Sequence, residues 1–333
     1  MHKIMLSYPL FGRGMERLMA ETDLFVSNSG ELAPFLPQLQ AAEAFITRNV
    51  HPTTEMLRQC PHLKVIGIPG VGYQSYNLEA LNQMGIAIVY CPGMNLRSVA
   101  EHAVAMAYAL TKWIPRDNQA VRGDNYAIRN AFDHLELSGQ AAGIAGFGAI
   151  GRETARLFQN NGMEVAVYDP FVTKEAAQAA GCRYCETLEE LAGTVKVLSL
   201  HMPSLPSTYH MFNRQIFEAM DGVYFINCAR GSVVDEEALF AALQEGHVAA
   251  AGLDVMEKEP FDLESPLLTL PNVLFTPHVA GVTAQAAERT HALVVDATLS
   301  LLDGVAVDNV ANPQALSHPR WAALARKRRE MER

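Results

Sequence analysis

The chain has 333 residues and a formal net charge of −10 at neutral pH, with 49% hydrophobic and 19% charged residues. This length and composition predict two globular domains, each with enough apolar material for a core. The acidic balance makes nucleic acid and anionic membranes poor partners, so an anionic ligand has to be bound by a local group of donors.

The first part of the chain alternates short β-rich segments with amphipathic segments, which is typical of parallel α/β sheets. Helix start and stop signals lie between the strands, as in 77–85, where the final glycine suits a helix C-cap. We predict five strands here: Lys3–Ser7, Asp23–Ser27, Ala44–Thr47, Leu63–Ile68 and Ile86–Tyr90.

Two long helical segments predict where the chain passes between domains. Ser98–Ile114 has strong helix formers and no breaker, so it leads into a second domain, and Ala284–Leu302 leads back. We therefore predict a discontinuous first domain, 1–97 plus 285–333, a second domain, 98–284, and a cleft between them. The charged segment from Pro319 is predicted to be a solvated helical tail. The strands predicted for the second domain are Ala142–Gly146, Glu164–Asp169, Val195–His201, Val223–Asn227, Ala250–Asp254 and Val273–Pro277.

Five scattered cysteines, an odd number, argue against a disulfide framework and fit a reducing compartment. Cys182 and Cys185 form a C-x-x-C without a second pair at zinc spacing, so we expect no metal site. The N-terminus lacks the pattern of a signal peptide, and no apolar run approaches the roughly 18 residues of a membrane span. We predict a cytoplasmic protein with no membrane partner.

Residues 142–155 predict a dinucleotide-binding turn. Gly146, Gly148 and Gly151 have G-x-G-x-x-G spacing between a strand and a helix, where the three glycines allow a tight turn, a close pyrophosphate and close helix packing. The helix N-terminus offers N–H donors to the anion. Asp169 ends the next strand, 18 residues after Gly151 (169 − 151). A carboxylate there binds ribose hydroxyls and repels a 2′-phosphate, so the predicted cofactor is NAD.

Three charged side chains follow strands of the second domain: Arg230, Glu259 and His278. Hydride transfer to a carbonyl leaves an alkoxide that needs a proton donor, and a substrate carboxylate suits the bidentate fork of an arginine. A carboxylate bonded to an imidazole favours its charged form, so Glu259 is the predicted orienter of His278. Because ligands bind at the carboxyl ends of parallel strands, we expect the three to form one catalytic site.

Several ordered segments resemble the D-isomer-specific 2-hydroxyacid dehydrogenase family, over about 44–312. The similar segments are I-T-R-N near Arg48, G-V-G-Y (Gly70–Tyr73), S-V-A-E-H (Ser98–His102), the glycine-rich turn, H-M-P-S-L-P-S-T, N-C-A-R-G-S-V-V-D, G-L-D-V-M-E-K-E-P and P-H-V-A-G-V-T. The resemblance implies two Rossmann-like doubly wound parallel-sheet domains, the substrate domain being flavodoxin-like, and a homodimer paired through the cofactor domain.

The resemblance also implies roles for individual residues. Arg230 would bind and polarise a small 2-oxo acid, with His278 as proton donor and acceptor paired with Glu259. Backbone N–H groups around Val71 and Gly72 would hold the substrate carboxylate. The implied cofactor contacts are Gly146, Phe147, Gly148, Ala149, Ile150, Gly151, Asp169, His201, Pro203, Thr208, Cys228, Ala229, Asp254 and Gly281.

The sequence departs from the family pattern in three places. Ala149 stands where the family often has a basic residue, so one contact to the pyrophosphate is missing. Asn77 stands where an aspartate is common, which puts a structural contact in question. We expect no regulatory domain after the last helix, and this expectation disfavours the serine-regulated type of phosphoglycerate dehydrogenase.

The leading hypothesis is NAD-dependent interconversion of a small 2-oxo acid and its D-2-hydroxy acid, with hydroxypyruvate, glyoxylate and 3-phosphohydroxypyruvate all open. Arg48 either binds a second anionic group of the substrate or caps a loop. A formate or phosphite dehydrogenase is an alternative, although formate dehydrogenases pair the histidine with glutamine rather than glutamate. An NAD-sensing corepressor that binds partners is the alternative outside the enzymes.

Overall fold

The computed structural model describes residues 1–47 and 50–322, so Arg48 and the end of the predicted tail lie outside the described residues. Its contacts divide the chain into two compact units, Met1–Asn95 with Val282–Arg333, and Leu96–Gly281. Each unit alternates strands and helices around one parallel sheet, which confirms the predicted fold class.

The first unit begins with nine elements: β1 (Lys3–Leu6), α1 (Arg13–Glu21), β2 (Asp23–Val26), α2 (Leu36–Ala41), β3 (Ala44–Ile46), α3 (Thr54–Arg58), β4 (Val65–Gly67), α4 (Leu78–Met84) and β5 (Ala87–Val89). The sheet order is β2-β1-β3-β4-β5, and every pair is parallel. This is the flavodoxin-like order. Strands β3, β4 and β5 are fully buried, as apolar strands covered on both faces should be, although β5 is the edge strand.

Side-chain caps fix the short helices of the fold. The Asn77 side chain accepts the Ala80 N–H at 3.0 Å and begins α4, and Gly85 ends it at φ +66°. The predicted C-cap is thus confirmed, and the departure at Asn77 preserves a structural contact, because asparagine and aspartate cap helices about equally well. Other helices begin with the same kind of cap, at Thr53, Thr173, Thr187, Asn213, Asp235 and Thr283.

The second unit contains α5 (Leu96–Thr111), α6 (Ile114–Arg122), β6 (Ala141–Ala145), α7 (Ala149–Asn160), β7 (Glu164–Tyr168), α8 (Lys174–Ala179), β8 (Arg183–Tyr184), α9 (Leu188–Ala192), β9 (Val197–Leu200), α10 (Arg214–Glu218), β10 (Val223–Asn227), α11 (Glu236–Glu245), β11 (Val248–Leu253) and β12 (Val273–Phe275). The order β12-β11-β10-β9-β6-β7-β8 is parallel throughout. It is the Rossmann order extended by one strand.

The long helices differ from their predictions in one respect. The helix predicted over Ser98–Ile114 begins at Leu96 and ends at Thr111, because Trp113 adopts a left-handed conformation at φ +49° before α6 begins. Gly252 of β11 lets α5 approach the sheet, since a β-carbon there would lie 3.1 Å from Met106 Sδ. Helix α12 (Ala284–Leu302) has the predicted bounds and belongs to the first unit.

All five cysteines are free and buried. Burial raises the pKa of the Cys60 and Cys185 thiols to about 11 and that of Cys91 to about 12. Over residues 1–47 and 50–322, no group of three or more histidine, cysteine or acidic side chains is placed to hold a metal ion. In the same part of the chain, no helix is both long and apolar enough to cross a membrane.

Candidate active site

The glycine-rich turn between β6 and α7 needs glycine for steric reasons. Gly146 has φ +94°, and a β-carbon there would lie 2.8 Å from the His201 carbonyl carbon. A β-carbon on Gly151 would lie 2.1 Å from the Gly146 carbonyl oxygen, so α7 packs directly on the turn. Gly146 therefore allows the tight turn, and Gly151 the close helix packing, that the sequence predicts.

Gly148 has a different environment, because a β-carbon there would contact nothing within 4 Å. It precedes α7 and provides no side-chain cap, so the first N–H groups of that helix remain available to a ligand. An open face, free N–H donors and a helix N-terminus together suit a diphosphate group. The residues at this turn thus fit a bound dinucleotide, with the exposed Ala149 adding no charge.

Asp169 lies directly beside this turn. Its carboxylate accepts the Phe147 N–H at 2.7 Å and the Phe171 N–H at 2.8 Å. The Phe147 ring is buried, and its N–H is already donated, so Phe147 supports the turn rather than offering a free donor. The carboxylate retains further acceptor capacity for ribose hydroxyls, as two oxygens provide about four lone-pair sites.

The segment after β9 holds three more of the predicted cofactor contacts, His201, Pro203 and Thr208. His201 Nε2 lies 3.0 Å from Ser199 Oγ, whereas Nδ1 is buried without a hydrogen-bond partner among the described residues. Burial lowers the pKa of His201 to about 3, so the ring is neutral. Thr208 Oγ1 donates to the Pro203 carbonyl at 2.7 Å and accepts the Leu205 N–H at 2.8 Å. These two hydrogen bonds hold residues 203–208 in a turn.

Arg230 follows β10, and the buried Asn227 shapes the turn that places it. The Asn227 side chain accepts the Ala229 N–H and donates to the Arg230 carbonyl, both at 3.0 Å. Arg230 donates one guanidinium N–H to the Ala229 carbonyl at 2.6 Å. Burial lowers the pKa of Arg230, and the negative charge of Glu259 opposes that effect. The guanidinium stays charged, because its ordinary pKa is far above neutral pH.

His278 and Glu259 are joined directly, with Nδ1 of the imidazole 2.8 Å from Oε2 of the carboxylate. Glu259 Oε1 also accepts the Met256 N–H at 3.3 Å. Burial alone would raise the pKa of Glu259, but the hydrogen bond and charge of His278 outweigh it and lower the pKa. About half of the His278 side chain is exposed, which leaves Nε2 free to exchange a proton with a ligand.

The ends of β10, β11 and β12 are connected to one another at this site. The Asp254 N–H donates to the Asn227 carbonyl at 3.0 Å, and the His278 N–H donates to the Asp254 carbonyl at 2.8 Å. The Asp254 carboxylate, almost fully buried, accepts the N–H groups of Val279 and Ala280. The strand ends therefore bring Arg230, Glu259 and His278 together on one unit.

The remaining predicted residues have separate positions. Cys228 and Ala229 are buried in the turn before Arg230, and Gly281 ends the second unit. Val71 and Gly72 are partly exposed in the loop after β4 of the first unit. Sequence reasoning did not identify the support given by Asn227, although its position three residues before Arg230 is a signal for such a turn.

Comparison with known proteins shows which family the chain is similar to. Residues 104–280 match the family model for the D-isomer specific 2-hydroxyacid dehydrogenase, NAD binding domain, which confirms the predicted NAD cofactor. The D-3-phosphoglycerate dehydrogenase of Archaeoglobus fulgidus is 37% identical over 81% of this chain, which spans 51% of that relative's length. The chain likewise spans 60% and 61% of two further phosphoglycerate dehydrogenases.

Two other relatives match over most of their length. Glyoxylate/hydroxypyruvate reductase B of Yersinia pestis is 33% identical, with 84% of this chain and 87% of the relative covered. The structure of D-lactate dehydrogenase from Aquifex aeolicus, complexed with NAD and lactic acid, is 29% identical with a TM-score of 0.80, covering 90% and 95% of the two chains. The chain therefore belongs to the D-isomer specific 2-hydroxyacid dehydrogenase family.

Proposed function

We propose that the protein is an NAD-dependent dehydrogenase that interconverts a small 2-oxo acid and its D-2-hydroxy acid. The observation that carries the proposal is the pairing of His278 with Glu259. Arg230 lies at a neighbouring strand end, and the same unit contains the glycine-rich turn with its open face at Gly148. In this assignment 98–284 is the NAD-binding domain, and 1–97 with 285–333 is the substrate domain.

Each side chain has a separate task in this mechanism. Bound NADH supplies the hydride that reduces the substrate carbonyl. Arg230 binds the 2-oxo acid through its guanidinium and draws charge toward the carbonyl oxygen. His278 gives a proton from Nε2 to that oxygen, while Glu259 holds Nδ1 and stabilises the charged imidazolium. In the reverse direction His278 accepts the proton from the hydroxyl group.

The substrate carboxylate is assigned to backbone N–H groups around Val71 and Gly72. The third substituent on the substrate's carbonyl carbon is not assigned: a hydroxymethyl group, a hydrogen and a phosphorylated group are all open. Arg48 is the candidate residue for binding a second anionic group of the substrate. NAD is favoured over NADP, because the Asp169 carboxylate at the turn would repel a 2′-phosphate. A cytoplasmic location remains a prediction.

We also propose a homodimer formed through the second unit. Large apolar side chains are exposed along 114–132, namely Ile114, Val121, Tyr126 and Phe132, the last with 88% of its surface exposed. A concentration of exposed apolar groups on one segment suits a contact with a second copy of the chain.

The test is NADH oxidation across hydroxypyruvate, glyoxylate, pyruvate and 3-phosphohydroxypyruvate, compared among three proteins. Arg230→Ala and His278→Ala should each lower kcat/KM by about a hundredfold or more, because a cation and a general acid are lost. NADH affinity, measured by fluorescence titration, should change by no more than about a factor of two.

Arg214→Ala and His62→Asn are the matched controls, since both side chains are exposed and neither is assigned to the site. Their turnover should equal that of the wild type. Full activity in Arg230→Ala or His278→Ala would contradict the mechanism. A folded wild type that binds NADH and reduces none of the acids would favour a binding protein instead.

A further inference from the structure

A hydrogen-bonded chain of three side chains ends at the turn that carries His278. Thr276 Oγ1 lies 2.5 Å from Asp254 Oδ1, and His102 Nε2 lies 3.0 Å from Thr276 Oγ1. Asp254 is 1% exposed, and its two oxygens also accept the Val279 and Ala280 N–H groups at 2.9 and 2.8 Å. All of these residues belong to the second unit.

The direction of each hydrogen bond follows from the chemistry of the groups. An ionised carboxylate only accepts, so the single hydroxyl proton of Thr276 is donated to Asp254. The hydroxyl oxygen can then only accept from the ring, so His102 carries a proton on Nε2. The chain therefore runs in one direction, from His102 through Thr276 to the buried carboxylate.

These hydrogen bonds matter for His278 because the turn that carries it has a strained backbone. His278 has φ +53°, a left-handed conformation that is unfavourable for a residue with a β-carbon. Such a conformation persists only when the surroundings hold it. Asp254 holds it on both sides, through its carbonyl to the His278 N–H and through its carboxylate to the next two N–H groups.

We propose that His102 and Thr276 are positioning residues, which fix the Asp254 carboxylate and through it the turn that directs the His278 imidazole toward the substrate. The inference rests on the proposed function for its kinetic part. Neither side chain touches the reacting atoms. His102 Nε2 lies 3.7 Å from Asp254 Oδ1, beyond hydrogen-bond distance, so its hydrogen bonding reaches the carboxylate through Thr276.

The kinetic test uses removal and conservation at each position. Thr276→Val should lower kcat by about tenfold to a hundredfold, the range for a lost bond to a charged group, with a smaller change in NADH affinity. Thr276→Ser keeps the hydroxyl and should restore most of kcat. His102→Leu should lower kcat by about fivefold, whereas His102→Gln, which retains an N–H donor at similar reach, should not.

A double variant tests whether the two residues act in series. If His102 works through Thr276, then Thr276→Val with His102→Leu loses no more kcat than Thr276→Val alone. Losses that multiply would overturn the inference. Thr269→Val is the matched control, because its hydroxyl donates to the Pro266 carbonyl in an exposed turn and is not part of these hydrogen bonds.

Amide hydrogen exchange gives a readout that does not depend on activity. The segment 276–281 should exchange faster in Thr276→Val and His102→Leu than in the wild type, and at the wild-type rate in Thr269→Val. If the wild type reduces no 2-oxo acid, the proposed function fails and exchange alone decides the inference. Unchanged exchange in both variants would overturn it. The partly exposed His102 keeps the test available if Thr276→Val fails to fold.

Discussion

Replacement of Gly148 by alanine should separate the stability of the fold from its affinity for the cofactor. Its backbone angles, φ −71° and ψ −163°, are accessible to any residue, and the new β-carbon would contact no protein atom within 4 Å. Alanine also restricts the unfolded chain, so the free energy of unfolding should rise by about 0.4–1 kcal/mol. For this size of domain the melting temperature should rise by about 1–4 °C.

NADH binding should weaken in the same variant. The open face at Gly148 is where the diphosphate must approach the backbone, and a methyl group there costs about 1–3 kcal/mol in overpacking. The dissociation constant should therefore increase by about fivefold to more than a hundredfold. Thermal melting without cofactor and fluorescence titration with NADH measure the two effects separately.

Gly151→Ala is the matched variant, because its β-carbon would lie 2.1 Å from the Gly146 carbonyl oxygen. That contact requires the turn to move, so Gly151→Ala should lower the melting temperature. A Gly148→Ala protein that melts below the wild type, or that binds NADH equally well, would refute the reasoning about this turn.

Four further predictions concern single side chains. Glu259→Gln should lower kcat by about tenfold, a loss moderated by the partial exposure of the pair, and an unchanged kcat would contradict its pairing role. A hydrogen bond from Arg156, more than any other contact, lowers the pKa of Glu153 from 4.5 to about 2. Glu153→Gln should therefore cost about 1 kcal/mol of stability above pH 4.5, a difference that fades as the pH falls toward 2, as thermal melts at each pH would show. Asp169→Ser should raise the ratio of NADPH to NADH turnover, and an unchanged ratio in steady-state assays would remove its selectivity role. Phe132→Ser should shift sedimentation toward a monomer, and an unaltered dimer would place the contact elsewhere.

Most of the fold follows from short apolar runs separated by turn signals, and the predicted strands agree with the structure to a residue or two at their ends. The exception is β8, for which the sequence predicts no strand. It has only two residues, Arg183 and Tyr184, which pair with β7 at the edge of the sheet. Two residues carry no periodicity, so this strand depends on its neighbour. The sequence pattern also gives no sign of the break at Trp113, since the break depends on a left-handed backbone conformation.

The candidate site was predictable where it depends on one strand end at a time. Arg230, Glu259 and His278 each follow a parallel strand, and the topology alone directs them to the same edge. The bond from His102 to Thr276 joins residues 174 positions apart, so only tertiary structure reveals it. The same holds for the strained turn at His278, because the left-handed position itself is a histidine and not the glycine that would signal such a conformation.

The burial of all five cysteines has a practical consequence. With pKa values of about 11, Cys60 and Cys185 carry a thiolate fraction on the order of one part in ten thousand at neutral pH. Burial raises the pKa of Cys228 beside Arg230 still further. The cysteines of the folded protein should therefore not react with maleimides or iodoacetamide. One cysteine introduced on the surface would then carry a fluorophore or spin label selectively, with the natural cysteines left in place.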